Sequence, residues 1–183
     1  LGMRTLFNVL GPLTNPALVE RQVLGVYDPG LCEPLAHALK QLGSIHALVL
    51  HSEDGLDEIS IAASTHGFEL KAGEIAPITI APAAFGHGHD SLEGLQVMTA
   101  EASATLIRGA LGGAEDTASV KARSIIALNA GAGIYVAGRA ESLEAGVTWA
   151  EQVITSGEAA HKLEAFVAFT QKLSVSADGE PAA

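Results

Sequence analysis

The segment "RQVLGVYDPGLCEPLAHALKQLGSIHALVLHS", residues 21–52, constrains the fold more than any other. It opens with a short apolar run and breaks at Asp28-Pro29-Gly30. Leu31, Leu35, Leu39 and Leu42 then recur at helical intervals before a second apolar run. Pro34 is tolerated in the first helical turn, and Gly43 marks the stop. The second run, "IHALVLHS" (45–52), does not alternate polar with apolar side chains, which suits a parallel strand buried on both faces. Strand, helix and strand in about thirty residues make a βαβ unit, right-handed by strong preference. The expectation is an α/β fold, a mostly parallel sheet flanked by helices.

At 183 residues, 48% hydrophobic and 17% charged, the chain can build one domain with a real core. Only 4% of it is aromatic, so that core must come from Ala, Leu, Val and Ile. "THGFEL" (65–70) and "EIAPITIAP" (74–82) flank Lys71-Ala72-Gly73 and read as a hairpin, with Pro77 assigning the second strand to an edge. Helical patterns follow over 99–111, 116–137, 143–156 and 158–173, with Ser142 as a cap and Gly157 as a separator. "NAGAGIYVAG" (129–138) sets two glycines inside a helix at about 1 kcal/mol each, a pattern that lets a neighbouring element approach closely. The expected organisation is a helix and loop over 1–16, an α/β domain over 17–175, and a frayed tail over 176–183.

The net charge of −11 supplies no positive face for a phosphate backbone, and Lys121 and Arg123 read as a solvated helix face. Nucleic acid is therefore not an expected partner. Neither a membrane span of about eighteen apolar residues nor a signal-peptide layout is present, so a cytoplasmic protein without membrane contact is expected. Cys32 is the only cysteine, which excludes an intrachain disulfide and suits a reducing compartment. It reads as a small packed hydrophobe, since His37 projects to another side of the same helix.

"LHSEDGLDEIS" (50–60) crowds Glu53, Asp54, Asp57 and Glu58 around Gly55 where the buried strand ends. Like charges this close repel, so either water or a cation must absorb the repulsion. Ligands of open α/β sheets gather at the carboxyl ends of strands, and carboxylate oxygens without Cys or His suit Mg²⁺. No EF-hand pattern is present, and His51 reads as the end of the strand. Spacing alone leaves a solvated acidic loop and a cation site both open. In "GPLTNP" (11–16), Gly11 and Pro12 can bring bare backbone against a planar ligand while Thr14 and Asn15 offer hydrogen bonds; the residues alone favour an ordinary helix-ending loop over that reading. "HGH" (87–89) lacks a third ligand at a recognisable spacing and reads as loop. Ser44, Ser52 and Ser60 stand in no G-x-S-x-G context. No P-loop or strand-linked G-x-G-x-x-G occurs; if phosphates bind, their main cradle lies outside this chain.

With "RTLFNVLGPLTNPA" (4–17), "GVYDP" (25–29), "DGLDEIS" (54–60) and "LNAGAGIYVAG" (128–138) in that order, the chain resembles the anthranilate phosphoribosyltransferase family over about residues 1–160. The resemblance covers only that family's C-terminal portion, which implies that residues 1–16 border an absent N-terminal helical domain and that the α/β domain over 17–175 is incomplete; the family's glycine-rich phosphate loop is not in this chain. It implies joining anthranilate to 5-phosphoribosyl 1-pyrophosphate with release of pyrophosphate, in tryptophan biosynthesis, by a homodimer when full length. Asp57 and Glu58 match the family's Mg²⁺-holding acidic pair, and Gly11, Pro12 and Asn15 its loop along the anthranilate channel. It assigns no general base. The implied activity is that of the whole enzyme, with this piece inactive alone. Two other readings belong to the same superfamily: a non-catalytic nucleic-acid binder and a pyrimidine-nucleoside phosphorylase. "AEASAT" (100–105) departs from the family, which commonly shows Asn-Ala there.

Overall fold

The computed structural model describes residues 11–14 and 16–177. Residues 1–10, and with them the helix expected within 1–16, as well as Asn15 and the residues beyond 177, lie outside the described residues. Four strands form one sheet in the order β1 (Arg21–Gly25), β2 (His46–Ser52), β3 (Thr65–Lys71) and β4 (Glu74–Ile80). Helix α1 (Cys32–Gln41) joins β1 to β2 as the βαβ reading requires, and these strands are parallel, with Arg21 opposite His46 and Gly25 opposite Leu50.

The rest of the sheet departs from the expectation. β2 pairs antiparallel with β3, and β3 antiparallel with β4, so one pairing of three is parallel. The cause is the connection 53–64: it holds no helix, and without a crossover the chain can only turn back beside β2. The hairpin is closed by two residues, not three, because Lys71 already pairs with Glu74. Ala72 (φ 51°) and Gly73 (φ 82°) both take left-handed backbone, as a tight primed turn demands. Pro77 does sit on the edge strand.

β2 explains the two-layer packing. Ala47 and Val49 face α1, where they meet Cys32, Leu35, Ala36 and Leu39. Leu48 and Leu50 alternate to the other face, against Leu128, Ala132 and Val136 of α3 (Thr117–Val136) and Leu143 and Val147 of α4 (Leu143–Thr155). Helix α2 (Ala100–Leu111) packs on α3, and α5 (Glu158–Ala177) on α4. Thr99, Asp116 and Ser142 each accept a backbone N–H three residues on, capping α2, α3 and α4.

The glycine reading holds at one position of two. A Cβ on Gly131 would stand 2.5 Å from Val147 Cα, and one on Gly146 only 2.3 Å from the Gly131 carbonyl oxygen. Gly133 has open space around it. No helix among the described residues is long and apolar enough to cross a membrane.

Candidate functional site

The acidic loop leaves β2 at the end of the parallel pair. Its backbone closes on itself: Ser52 N–H donates to Leu56 C=O at 3.0 Å, Gly55 N–H to Ser52 C=O at 2.9 Å, and Glu53 N–H to Ser64 C=O at 3.0 Å. Below the loop, the fully buried side chains of Ile59 and Ile61 anchor it in the core.

The four carboxylates then divide into two kinds. Glu53 Oε1 lies 2.8 Å from His66 Nε2, whose Nδ1 is 3.0 Å from Thr79 Oγ1. Asp54 Oδ2 accepts the Ser60 hydroxyl at 2.5 Å, and its other oxygen faces Leu56 N–H at 3.4 Å. Burial alone would raise the Asp54 pKa, but the Ser60 and Ser52 hydroxyls and the Leu56 amide outweigh it and hold the group below the ordinary range. These two acids are structural. Asp57 and Glu58 are exposed and engage no hydrogen bond or ion pair among the described residues. They border two cavities, one of 310 Å³ with Val23, Gly25, Leu50 and Asn129, the other of 360 Å³ walled by Leu92, Leu95, Leu106 and Ile125.

Although their side chains are unbonded, their backbone is pinned from both sides. A Cβ on Gly25 would fall 1.5 Å from the Asp57 carbonyl oxygen, so the end of β1 lies directly against the loop. On the other side, Asn129 of α3 grips the residue after Glu58. Its Oδ1 accepts Ile59 N–H at 2.9 Å, and its Nδ2 donates to Ile59 C=O at 3.0 Å. Sequence reasoning assigned a role to neither Gly25 nor Asn129. A glycine closing a strand does signal close backbone approach, but nothing local in "LNAGAG" shows which backbone Asn129 would meet.

The remaining candidates fall elsewhere. Gly11 and Pro12 open a single 3-10 turn, Gly11–Thr14; a Cβ on Gly11 would meet nothing within 4 Å. Gly11 lines neither of the two cavities that hold Asp57 and Glu58, while Leu13 borders a separate one of 300 Å³ with Leu39 and Gly43. His51 Nδ1 donates across the sheet to Val26 C=O at 2.8 Å. His87 and His89 face different partners, Glu151 Oε1 at 3.0 Å and Ser124 Oγ at 3.0 Å. Cys32 is buried, and burial pushes its thiol pKa up, as for a packing residue.

Residues 1–160 match the model of the glycosyl transferase family, a/b domain. The chain belongs to that glycosyl transferase family. It is 52% identical over 170 residues to an anthranilate phosphoribosyltransferase of Teredinibacter turnerae, covering 93% of this chain and 50% of the relative. To that of Cellvibrio japonicus it is 54% identical over 173 residues, again covering half of the relative. The chain thus spans about half the length of the curated relatives it matches. Among solved structures, anthranilate phosphoribosyltransferase from Thermus thermophilus superposes with TM-score 0.79 at 40% identity, over 93% of this chain and 49% of that one. The Saccharomyces cerevisiae enzyme in complex with PRPP and Mg gives 0.73 at 27% identity, over 89% and 46%. In this glycosyl transferase fold, Asp57 and Glu58 are a pair of hard oxygen donors with no bonding partner among the described residues, which fits Mg²⁺. The described residues group no three His, Cys, Asp or Glu around one point, and Mg²⁺ takes one or two carboxylates while water and phosphate fill the rest.

Proposed function

We propose that this chain is the acidic half of the active site of an anthranilate phosphoribosyltransferase, which transfers a phosphoribosyl group from 5-phosphoribosyl 1-pyrophosphate to anthranilate with release of pyrophosphate. The observation that carries the proposal is the division within the loop: two carboxylates tied into the fold, and two held at the strand end on pinned backbone with their oxygens free. The half-length matches to enzymes of that name supply the reaction.

Asp57 and Glu58 would hold Mg²⁺, which when bound neutralises charge on pyrophosphate as it leaves. The chain's own part is to present those carboxylates in fixed positions. Gly25 sets the depth of Asp57, and Asn129 stops the loop from lifting at Ile59. Gly11, Pro12 and Asn15 are proposed to border the acceptor's path in the complete protein, where the phosphate-binding half is supplied. The chain alone should show no turnover, because stabilisation of the transition state needs both halves.

The test is Asp57→Asn and Glu58→Gln in the complete protein. Each should lower kcat/KM at least about tenfold, or roughly 1.4 kcal/mol. Excess Mg²⁺ should restore part of the loss, and stability should not fall, since a repulsion has been removed. Parental activity in both variants with an unchanged Mg²⁺ optimum would leave a solvated loop and no metal site.

A further inference from the structure

The opposite end of β1 and β2 carries the opposite charge. There the start of β1, the start of β2, the end of β3 and the turn after α3 surround a cavity of 560 Å³ lined by Arg21, His46, Lys71, Tyr135, Arg139 and Glu141. Three of the ten Lys and Arg residues of a chain with net charge −11 converge on this one hollow. We propose that it binds a small dianion, a phosphate ester or a dicarboxylate, at a site separate from the acidic loop.

Two of the cations are already oriented. Arg21 Nη1 donates to Val136 C=O at 3.0 Å, which uses one of five guanidinium N–H groups. Lys71 Nζ donates to Tyr135 Oη at 2.9 Å and stands 4.6 Å from that ring's centroid, leaving two N–H groups free. Tyr135 is itself fixed, its hydroxyl donating to Glu69 Oε1 at 2.6 Å beside buried His46, whose Nε2 lies 2.9 Å from the same oxygen. Gly138, at φ 71°, reverses the chain against the Arg21 guanidinium, and Arg139 follows with no side-chain partner among the described residues.

Two carboxylates face this group. Glu69 is engaged by His46 and Tyr135; Glu141 lines the cavity. Three cations against two carboxylates leave a positive excess before any contribution from His46. Guanidinium forks match phosphate and carboxylate oxygens, and cations held in place lose little freedom on binding. The volume lies in the range of about 300–1,000 Å³ typical of small-molecule sites. β1 and β2 run from this cavity to the acidic loop, roughly 15 Å away at about 3.3 Å per residue, too far for one small dianion to touch both.

Calorimetry and amide-shift titration of the 183-residue chain with inorganic phosphate and with malonate, at ionic strength balanced with chloride, test this. Saturable binding is expected, with shifts at Tyr135, Gly138 and Arg139. Saturation by phosphate alone assigns the ester class, and by malonate alone the dicarboxylate class. Arg139→Gln and Lys71→Gln should each weaken binding at least tenfold, while Asp57→Asn leaves it unchanged, so the outcome is independent of the metal reading. Should Lys71→Gln unfold the chain, Arg139→Gln decides, since it removes no bond. A response that matches chloride without saturating, unchanged affinity in Arg139→Gln, or loss in Asp57→Asn would overturn the proposal.

Discussion

At the Gly25 and Ser52 end of the parallel pair the backbone is clamped and two charged side chains are left free. At the Arg21 and His46 end the side chains of His46, Glu69, Tyr135 and Lys71 are bonded to one another, and Arg21 is tied to the Val136 carbonyl. The difference shows two ways of keeping a charged group in position. In the proposed metal role Asp57 and Glu58 offer their oxygens to a ligand, so they are held through the backbone, by contacts from β1 and α3. A cation has donors to spare, so one can be given to the protein and the others kept.

The contrast can be broken most severely at Gly25. Gly25→Ala drives a methyl into the Asp57 carbonyl, with backbone on both sides, and should destabilise the chain by at least about 3 kcal/mol or prevent folding. A urea midpoint equal to the parent's would show that the loop is not seated against β1. Next comes Asn129→Ala, which strands the N–H and C=O of buried Ile59 at about 1–3 kcal/mol and, in the complete protein, should weaken Mn²⁺ binding measured by electron paramagnetic resonance. Loss of stability with unaltered metal affinity would separate the clamp from the carboxylates. Lys71→Met sharpens the other side: its ammonium is exposed, so its loss should change stability by less than about 1 kcal/mol.

The smallest effect is one of pH. Asp54 has its pKa lowered in the fold, so its contribution is present above the unfolded value of 3.8 and is lost as pH falls through and below it. Between about pH 5 and pH 3, Asp54→Asn should therefore lose slightly less thermal stability than the parent chain. Parallel melting curves across that window would mean that Ser60 gives Asp54 no net support.

Much of this was legible because it is local. The unalternating "ALVL" of β2 announced burial on both faces, and Pro77 announced an edge. The sheet's mixed direction was less visible, since only the lack of a helix over 53–64 decides it, and short loop residues carry no signal of strand direction. Within the site, the crowding of Glu53, Asp54, Asp57 and Glu58 was evident, but not their division. That depends on His66, from another strand, and on Ser60, placed by the loop's own fold. Asn129 was hidden for a stronger reason: its partner lies 70 residues away.

That separation also bears on the order of events in folding. The Gly131–Gly146 crossing joins consecutive helices and closes a short loop, whereas the Asn129–Ile59 bridge must close one of 70 residues against a larger entropy. The α3/α4 pair is thus expected to assemble early and to offer Asn129 on a finished surface. The carboxylates reach their final places only when the sheet docks onto it, so a trapped refolding intermediate with full helix content should bind Mg²⁺ poorly.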